Sequence, residues 1–205
     1  MKKKFWFQTI TLVVILTGLG FLRTSEFKAT EQNAIAQLQM KQSPASIRGF
    51  QIISDSISFV SLGIPALFLV VGLIRKNRVF VRNAFIILLG IALGGGISAT
   101  IKRTVKEPRP YEVDTRITQW SVGGSNSFPS GHTVEATVAA IGFSCILFRT
   151  PLAMALSAIW ALLIMFSRIV LGVHNLTDIL AGIIVGCLAL LIVHSLFERK
   201  RVTHS

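Results

Sequence analysis

Apolar residues along this chain gather into six long blocks separated by polar, charge-bearing segments. The blocks run approximately from Phe5 to Leu22, Ile52 to Ile74, Asn83 to Ile101, Thr133 to Phe148, Leu152 to Ser167 and Leu176 to Phe197. A helix needs roughly 17–25 mostly apolar residues to cross the hydrocarbon layer of a bilayer. The fourth and fifth blocks are short for that task and are expected to extend into their flanks. Ionisable residues enter the blocks only near their ends, at Asp55, Glu135, Asp178 and His194. The pattern predicts an all-α chain: a six-transmembrane-helix bundle forming a single membrane-embedded domain over residues 1–205. Gly94-Gly95-Gly96 in the third block is expected to let that helix approach a neighbour closely, as small residues do inside membranes.

Composition agrees with the pattern. Of 205 residues, 52% are hydrophobic and 15% charged, against about 25% charged in an average soluble domain. The mean hydropathy is +0.65. Both a soluble globular protein and a disordered chain are thereby excluded, the latter because disorder needs low hydrophobicity. The net charge of +12 would raise the question of nucleic acid in a soluble protein. Here the basic residues sit mostly between apolar blocks, so membrane topology explains them and no nucleic-acid partner is expected. Cys145 and Cys187 lie inside apolar blocks and read as packed thiols.

Cytoplasmic loops accumulate Lys and Arg. With the N-terminus inside, the inner segments carry Lys2, Lys3 and Lys4, then Arg75, Lys76, Arg78 and Arg82, then Arg149, then Arg199, Lys200 and Arg201. That arrangement predicts cytoplasmic N- and C-termini; the expected location is a bacterial inner (plasma) membrane. The first block, after Lys2 to Lys4, has a longer apolar core than the 7–15 residues of a signal peptide, and no small-x-small site follows, so it is expected to remain uncleaved. Three connections then face outward: about Arg23 to Gln51, Lys102 to His132 and Arg168 to Asn175. The first is polar with scattered Ile35, Leu38 and Ile47, a pattern for a short amphipathic helix on the interface.

The other two outer connections hold the chemistry. KRTVKEPRP covers Lys102 to Pro110, SFPSGH covers Ser127 to His132, and SRIVLGVHNLTD covers Ser167 to Asp178. Pro108 and Pro110 stop the third helix and hold Arg109 on extended backbone. Lys102, Arg109 and Arg168 are three cations at block ends on one face; arginine meets phosphate through two parallel hydrogen bonds and lysine acts as a point charge. Ser130 is a good N-cap at the start of the fourth block, whose first N–H groups and positive dipole end would face the same cavity. Together these residues predict an anion site suited to phosphate. His174 and Asp178 are four apart, on one face of a helical turn if the sixth helix starts that early. A carboxylate there accepts the imidazole Nδ1–H and leaves Nε2 free to serve as nucleophile or base. His132 comes from a different helix and can protonate a leaving oxygen. Taken singly, each cation is an ordinary interfacial anchor and each histidine a structural one; the joint spacing decides for chemistry.

The set resembles the type 2 phosphatidic acid phosphatase superfamily, whose pattern is Lys, six residues, Arg-Pro; then Pro-Ser-Gly-His; then Ser-Arg, five residues, His, three residues, Asp. Lys102…Arg109-Pro110, Pro129-Ser130-Gly131-His132 and Ser167-Arg168…His174…Asp178 match every motif position. The resemblance implies that His174 takes the phosphoryl group, Asp178 orients it and His132 protonates the departing lipid oxygen. It further implies that Lys102, Arg109, Ser130, Gly131 and Arg168 bind the phosphate oxygens. It is the membrane branch of that family that has six helices, and the apolar spans disfavour the soluble haloperoxidases that share the site.

The expected activity is that of an integral membrane lipid phosphatase at the outer face. Its substrate class is a phosphate or diphosphate monoester of a lipid in the bilayer: undecaprenyl diphosphate, phosphatidylglycerol phosphate, phosphatidic acid or lipid A type. No metal-ligand spacing stands out among His, Cys, Asp and Glu, so metal-independent chemistry without a cofactor is expected, the cations doing the electrostatic work. Two alternatives use the same residues: a phosphotransferase passing the phosphoryl group from His174 to another lipid, and a non-catalytic lipid-binding or transport protein. The second would have no need of a nucleophile.

Overall fold

The computed structural model describes residues 25–124 and 126–202. The expected span from Phe5 to Leu22, with the question of its cleavage, lies outside those residues. Among the described residues the regular structure is helical: α1 (Ser25–Met40), α2 (Pro44–Ile74), α3 (Arg78–Val105), the single turn α4 (Pro110–Val113), α5 (Gly131–Gly142) continuing into a π-helical turn (Phe143–Phe148), α6 (Pro151–Val170) and α7 (Leu176–Val202). Five of these are long and apolar enough to cross a membrane: α2, α3 with its extension, α5 with its π turn, α6 and α7.

Each helix outruns its apolar block because local capping sets its ends, whereas hydropathy marks only its middle. Ser43 caps α2, its hydroxyl accepting from the Ser46 N–H at 3.2 Å, and Pro44 occupies the first helical position. Asn77 caps α3, with Oδ1 accepting from Val79 N at 3.0 Å and Phe80 N at 3.1 Å. Between them Gly72 is buried where a Cβ would come within 2.9 Å of Phe80 Cβ and the Val81 nitrogen, so the α2–α3 hairpin closes only over glycine. Lys106 ends α3 in the left-handed region (φ 51°), and Pro108 follows. Ser130 caps α5, and Thr150 with Pro151 starts α6.

Within the bundle α5 sits among α3, α6 and α7, and α2 packs against α3 and α6. Lipid is as apolar as leucine, so close approach rather than hydrophobic exclusion holds such helices together. At Gly94 a Cβ would meet Val134 Cγ1 at 2.6 Å. Gly95 and Gly96, expected to share in that approach, have nothing within 4 Å of the same position. A second seam joins α5 and α7: Gly182 and Gly186 of α7 each leave a Cβ position 2.8 Å from the Cβ of Thr133 and Thr137 on α5. Large side chains such as Phe59, Leu67, Leu152, Leu162 and Leu191 point outward, as a lipid-facing surface requires.

Of the residues Ile35, Leu38 and Ile47 that marked an amphipathic helix, helix α1 holds the first two, while Ile47 lies in the first turns of α2. In α1, Ile35 and Ala36 are buried with Ile117 of the α4–α5 connection. Its apolar side therefore faces this chain's own loops.

Candidate active site

Arg168 lies in the last turn of α6, and its carbonyl accepts from Val173 N at 3.2 Å and His174 N at 3.3 Å. Gly172 makes this turn possible: its φ is +73°, and a Cβ there would lie 2.6 Å from the Thr118 carbonyl oxygen. His174 thus ends in the connection ahead of α7, not on the helix as its spacing to Asp178 suggested. The pairing survives because Asp178, in the first turn of α7, folds back over the helix start. Its Oδ2 accepts from Asn175 N at 2.9 Å and stands 3.1 Å from His174 Nδ1. This is the reach of a third-position acid toward a cap.

That contact fixes the proton on Nδ1 and leaves the Nε2 lone pair for chemistry. His174 is 3% exposed and Asp178 fully buried. Burial pushes the His174 imidazole down to about 4, and the Arg109 and Arg168 charges push the same way against the pull of Asp178. The ring is neutral at neutral pH.

Ser127, which the motif reading left without a role, donates through its hydroxyl to Asp178 Oδ2 at 2.5 Å and lies 3.4 Å from His174 Nδ1. Its neighbours carry the other side of the site. Lys102 Nζ donates to the carbonyls of Asn126 at 2.6 Å and Ser127 at 2.9 Å. Arg109, 3% exposed, donates through Nη1 to the Val173 carbonyl at 2.7 Å, tying the first motif to the third. Gly123 lies against it, since a Cβ there would be 3.0 Å from Arg109 Nε. Arg168 donates from Nη1 to the hydroxyls of Ser54 and, at 3.1 Å, Ser121. Arg168 Nε is buried with no hydrogen-bond partner among the described residues. An unsatisfied guanidinium N–H in a buried setting is costly unless a ligand oxygen meets it.

The start of α5 completes the arrangement. Ser130 is fully buried, its N–H donating to the Asp178 carbonyl at 3.0 Å and its Oγ accepting from Thr133 N at 3.4 Å. Nothing lies within 4 Å of a Cβ at Gly131, so the first turn opens on free space. His132 is within electrostatic reach of Arg168, His174, Arg109 and Lys102. A cavity of about 310 Å³ is lined by Lys102, Gly131 and His132, with Glu135, Gly95 and Ser98 deeper in the bundle. All eight residues picked out by the motifs therefore converge from α3, α5, α6, α7 and their connections. Among the described residues no three His, Cys, Asp or Glu side chains come together as a metal-ligand set.

Such a site combines an oriented imidazole, a second histidine from another helix, three cations and a helix N-terminus. That suits transfer of a group whose charge is spread over several oxygens. Comparison with known proteins points the same way. A family model described as PAP2 superfamily matches residues 83–201. Phosphatidylglycerophosphatase B of Haemophilus influenzae is 34% identical over 83 residues, 37% of this chain and 34% of that protein, so the match spans about a third of that relative. Among solved structures, the transmembrane PAP2 type phosphatidylglycerolphosphate phosphatase from Bacillus subtilis superposes with a TM-score of 0.75 at 21% identity, over 93% of this chain and 96% of that one. LpxE of Aquifex aeolicus superposes with a TM-score of 0.68 at 22% identity, over 81% and 95% of the two chains.

Proposed function

This chain belongs to the PAP2 superfamily, and from that membership and its site geometry we propose that it is an integral membrane phosphatase acting on a phosphate or diphosphate monoester of a lipid. The observation that carries the reading is the His174 Nδ1–Asp178 contact of 3.1 Å beside the unsatisfied Arg168 Nε. Phosphate binds between Lys102, Arg109, Arg168, the Ser130 hydroxyl and the Gly131 N–H at the start of α5, which balance its charge without a metal ion. The neutral His174 Nε2 attacks phosphorus, an N–P bond forms, the P–O bond to the lipid breaks and His132 gives its proton to the leaving oxygen. Water then attacks phosphorus, its proton passing to the now neutral His132; a P–O bond forms, the N–P bond breaks, phosphate leaves and both histidines return to their starting forms. Asp178 holds the ring throughout and stabilises the positive charge it acquires.

We assign the site to the outer face of the membrane, with both termini cytoplasmic, on the density of Lys and Arg in the opposite loops. The activity is tested by phosphate release from purified protein across undecaprenyl diphosphate, phosphatidylglycerol phosphate, phosphatidic acid and a lipid A phosphate in detergent, with His174→Ala as reference. Release from at least one lipid by wild type and none by the variant is expected. Turnover that survives His174→Ala would sink the mechanism, and phosphate passed to an added lipid acceptor instead of water would make the protein a phosphotransferase.

A further inference from the structure

Glu31 of α1 is 7% exposed and takes no part in the steps above. Its Oε1 accepts from the backbone N–H of Thr177 at 3.0 Å and its Oε2 from the Thr177 hydroxyl at 3.3 Å, across 146 residues of sequence. Thr177 is the second residue of α7 and precedes Asp178. The first N–H groups of a helix have no partner within it and favour a negative charge. Asn175, directly before α7, does not meet this need with its side chain, because its Oδ1 is buried without a partner. A carboxylate from a distant helix does so instead.

The rest of that face of α1 holds the helix in place. Lys28, one turn earlier, pairs at 2.6 Å with Glu107, whose carbonyl accepts from Ser127 N at 2.8 Å. Gln39 donates to the carbonyls of Val170 at 2.9 Å and Thr118 at 2.8 Å. Positions 28, 31, 35 and 39 thus face the segments that carry Arg109, Ser127, Arg168 and Asp178. The first turn of α7 matters doubly, since Asp178 orients His174 through its carboxylate and receives Ser130 N–H on its carbonyl.

We propose that Glu31 is a positioning residue of the phosphoryl-transfer site, capping α7 in trans and so setting where Asp178 holds the His174 ring. The inference rests on the phosphatase reading. The charged groups around Glu31 are Asp178 on α7, Glu107 before α4 and, on its own helix, Lys28 paired to Glu107. Burial, then the Asp178 and Glu107 charges, push the Glu31 carboxyl above the usual carboxylate range against the two Thr177 donors. A protonated Glu31 is a weaker acceptor, so its hold on α7 belongs to the ionised carboxylate and fades as pH falls through its raised pKa.

The test uses the full-length protein in detergent and whichever lipid of the panel is turned over fastest. Glu31→Gln keeps the shape and removes the charge. Its kcat is expected to fall about tenfold, the scale of a hydrogen bond to a charged group, with KM within about twofold. The wild-type to Glu31→Gln ratio of kcat should shrink toward one at acidic pH, where the wild type loses the same charge; the substrate's own ionisation cancels in that ratio. A merely structural residue would lower the yield of folded protein and leave the ratio flat with pH, which would overturn the proposal. Should Glu31→Gln fail to fold, Thr177→Val removes one of the two donors while leaving the carboxylate. It should lower kcat severalfold at constant KM, and an unchanged kcat would equally overturn the proposal. Asn33→Ala, on the exposed side of α1, controls for disturbance of the helix and should stay within about twofold of wild type. Inactive wild type on every lipid would sink the phosphatase reading itself, whereas active wild type, dead His174→Ala and unchanged Glu31→Gln would sink only this inference.

Discussion

His174 and His132 should fail differently when removed, because in the proposed reaction one offers a lone pair and the other a proton. His174→Ala is expected to abolish phosphoenzyme and turnover for every substrate. His132→Ala should slow lipid turnover by about 100- to 10,000-fold, the ordinary range for a lost general acid, and should slow a nitrophenyl phosphate much less, since nitrophenolate leaves without protonation. Equal losses on both substrates would make His132 a phosphate ligand and not an acid. Ser127 shares Asp178 Oδ2 with the ring, so Ser127→Ala should lower kcat about tenfold without raising KM, as loss of a donor to a buried carboxylate implies. Burial holds the His174 imidazole near 4. NMR titration of labelled protein should find the ring neutral at about pH 5, where a free histidine with a pKa of about 6.5 is mostly protonated. Its attack-competent form is therefore present through the neutral range and lost only as pH falls toward 4. A ring titrating near 6.5 would mean that water reaches the site freely.

At the scale of the helix, the seam between α5 and α7 is sensitive to added volume because backbone as well as side chain lies against its glycines. Gly182 meets Thr133 and the Ser130 carbonyl, with Cβ positions at 2.8 and 2.9 Å, so any side chain there pushes α7 away from the start of α5. Gly182→Val should cost about 1–3 kcal/mol, the usual scale of overpacking, and should lower activity as well because the displaced turn carries Asp178. Gly96→Ala, with nothing within 4 Å, should leave the melting temperature in detergent unchanged or slightly raised. Thermal melts of the two variants side by side check this, and similar losses in both would refute the seam. The connection from Leu171 to Asn175 is held as firmly as a helix, by Arg168, Leu171 and Gly172 contacts from both sides. His174 can be held in place on such a loop because every backbone N–H from Leu171 to Asn175 has an acceptor.

At the scale of the whole molecule, charge along the chain bears on orientation and charge within the site bears on chemistry. Gln119 lies in the α4–α5 connection and Lys76 between α2 and α3, both exposed. In a background with Cys145 and Cys187 replaced by Ala, Gln119→Cys should react with a membrane-impermeant thiol reagent on intact cells and Lys76→Cys should not. The reverse would move the site to the cytoplasmic face. The three buried or half-buried cations lead to a second expectation. Activity should persist in excess chelator and be inhibited by vanadate, which mimics five-coordinate phosphorus. Loss of activity in chelator with recovery on Mg²⁺ would show that Lys102, Arg109 and Arg168 are not enough.

Hydropathy and motif spacing in the sequence determined the helical spans after the first, the convergence of Lys102, Arg109, Ser130, Gly131, His132, Arg168, His174 and Asp178, and the pairing of His174 with Asp178. These are legible because they rest on block length, on proline and cap chemistry, and on separations of a few residues. Tertiary structure alone decided the rest. Ser127 to Asp178, Ser54 to Arg168 and Glu31 to Thr177 join residues 51, 114 and 146 apart. A serine or glutamate carries no local mark of such a partner, because the partner depends on how helices dock. The same holds for glycine: Gly94 touches α5 while Gly95 and Gly96 face open space, and Gly182 with Gly186 makes a second seam. Sequence names the small residues, but the rotation of each helix about its axis decides which of them meets a neighbour.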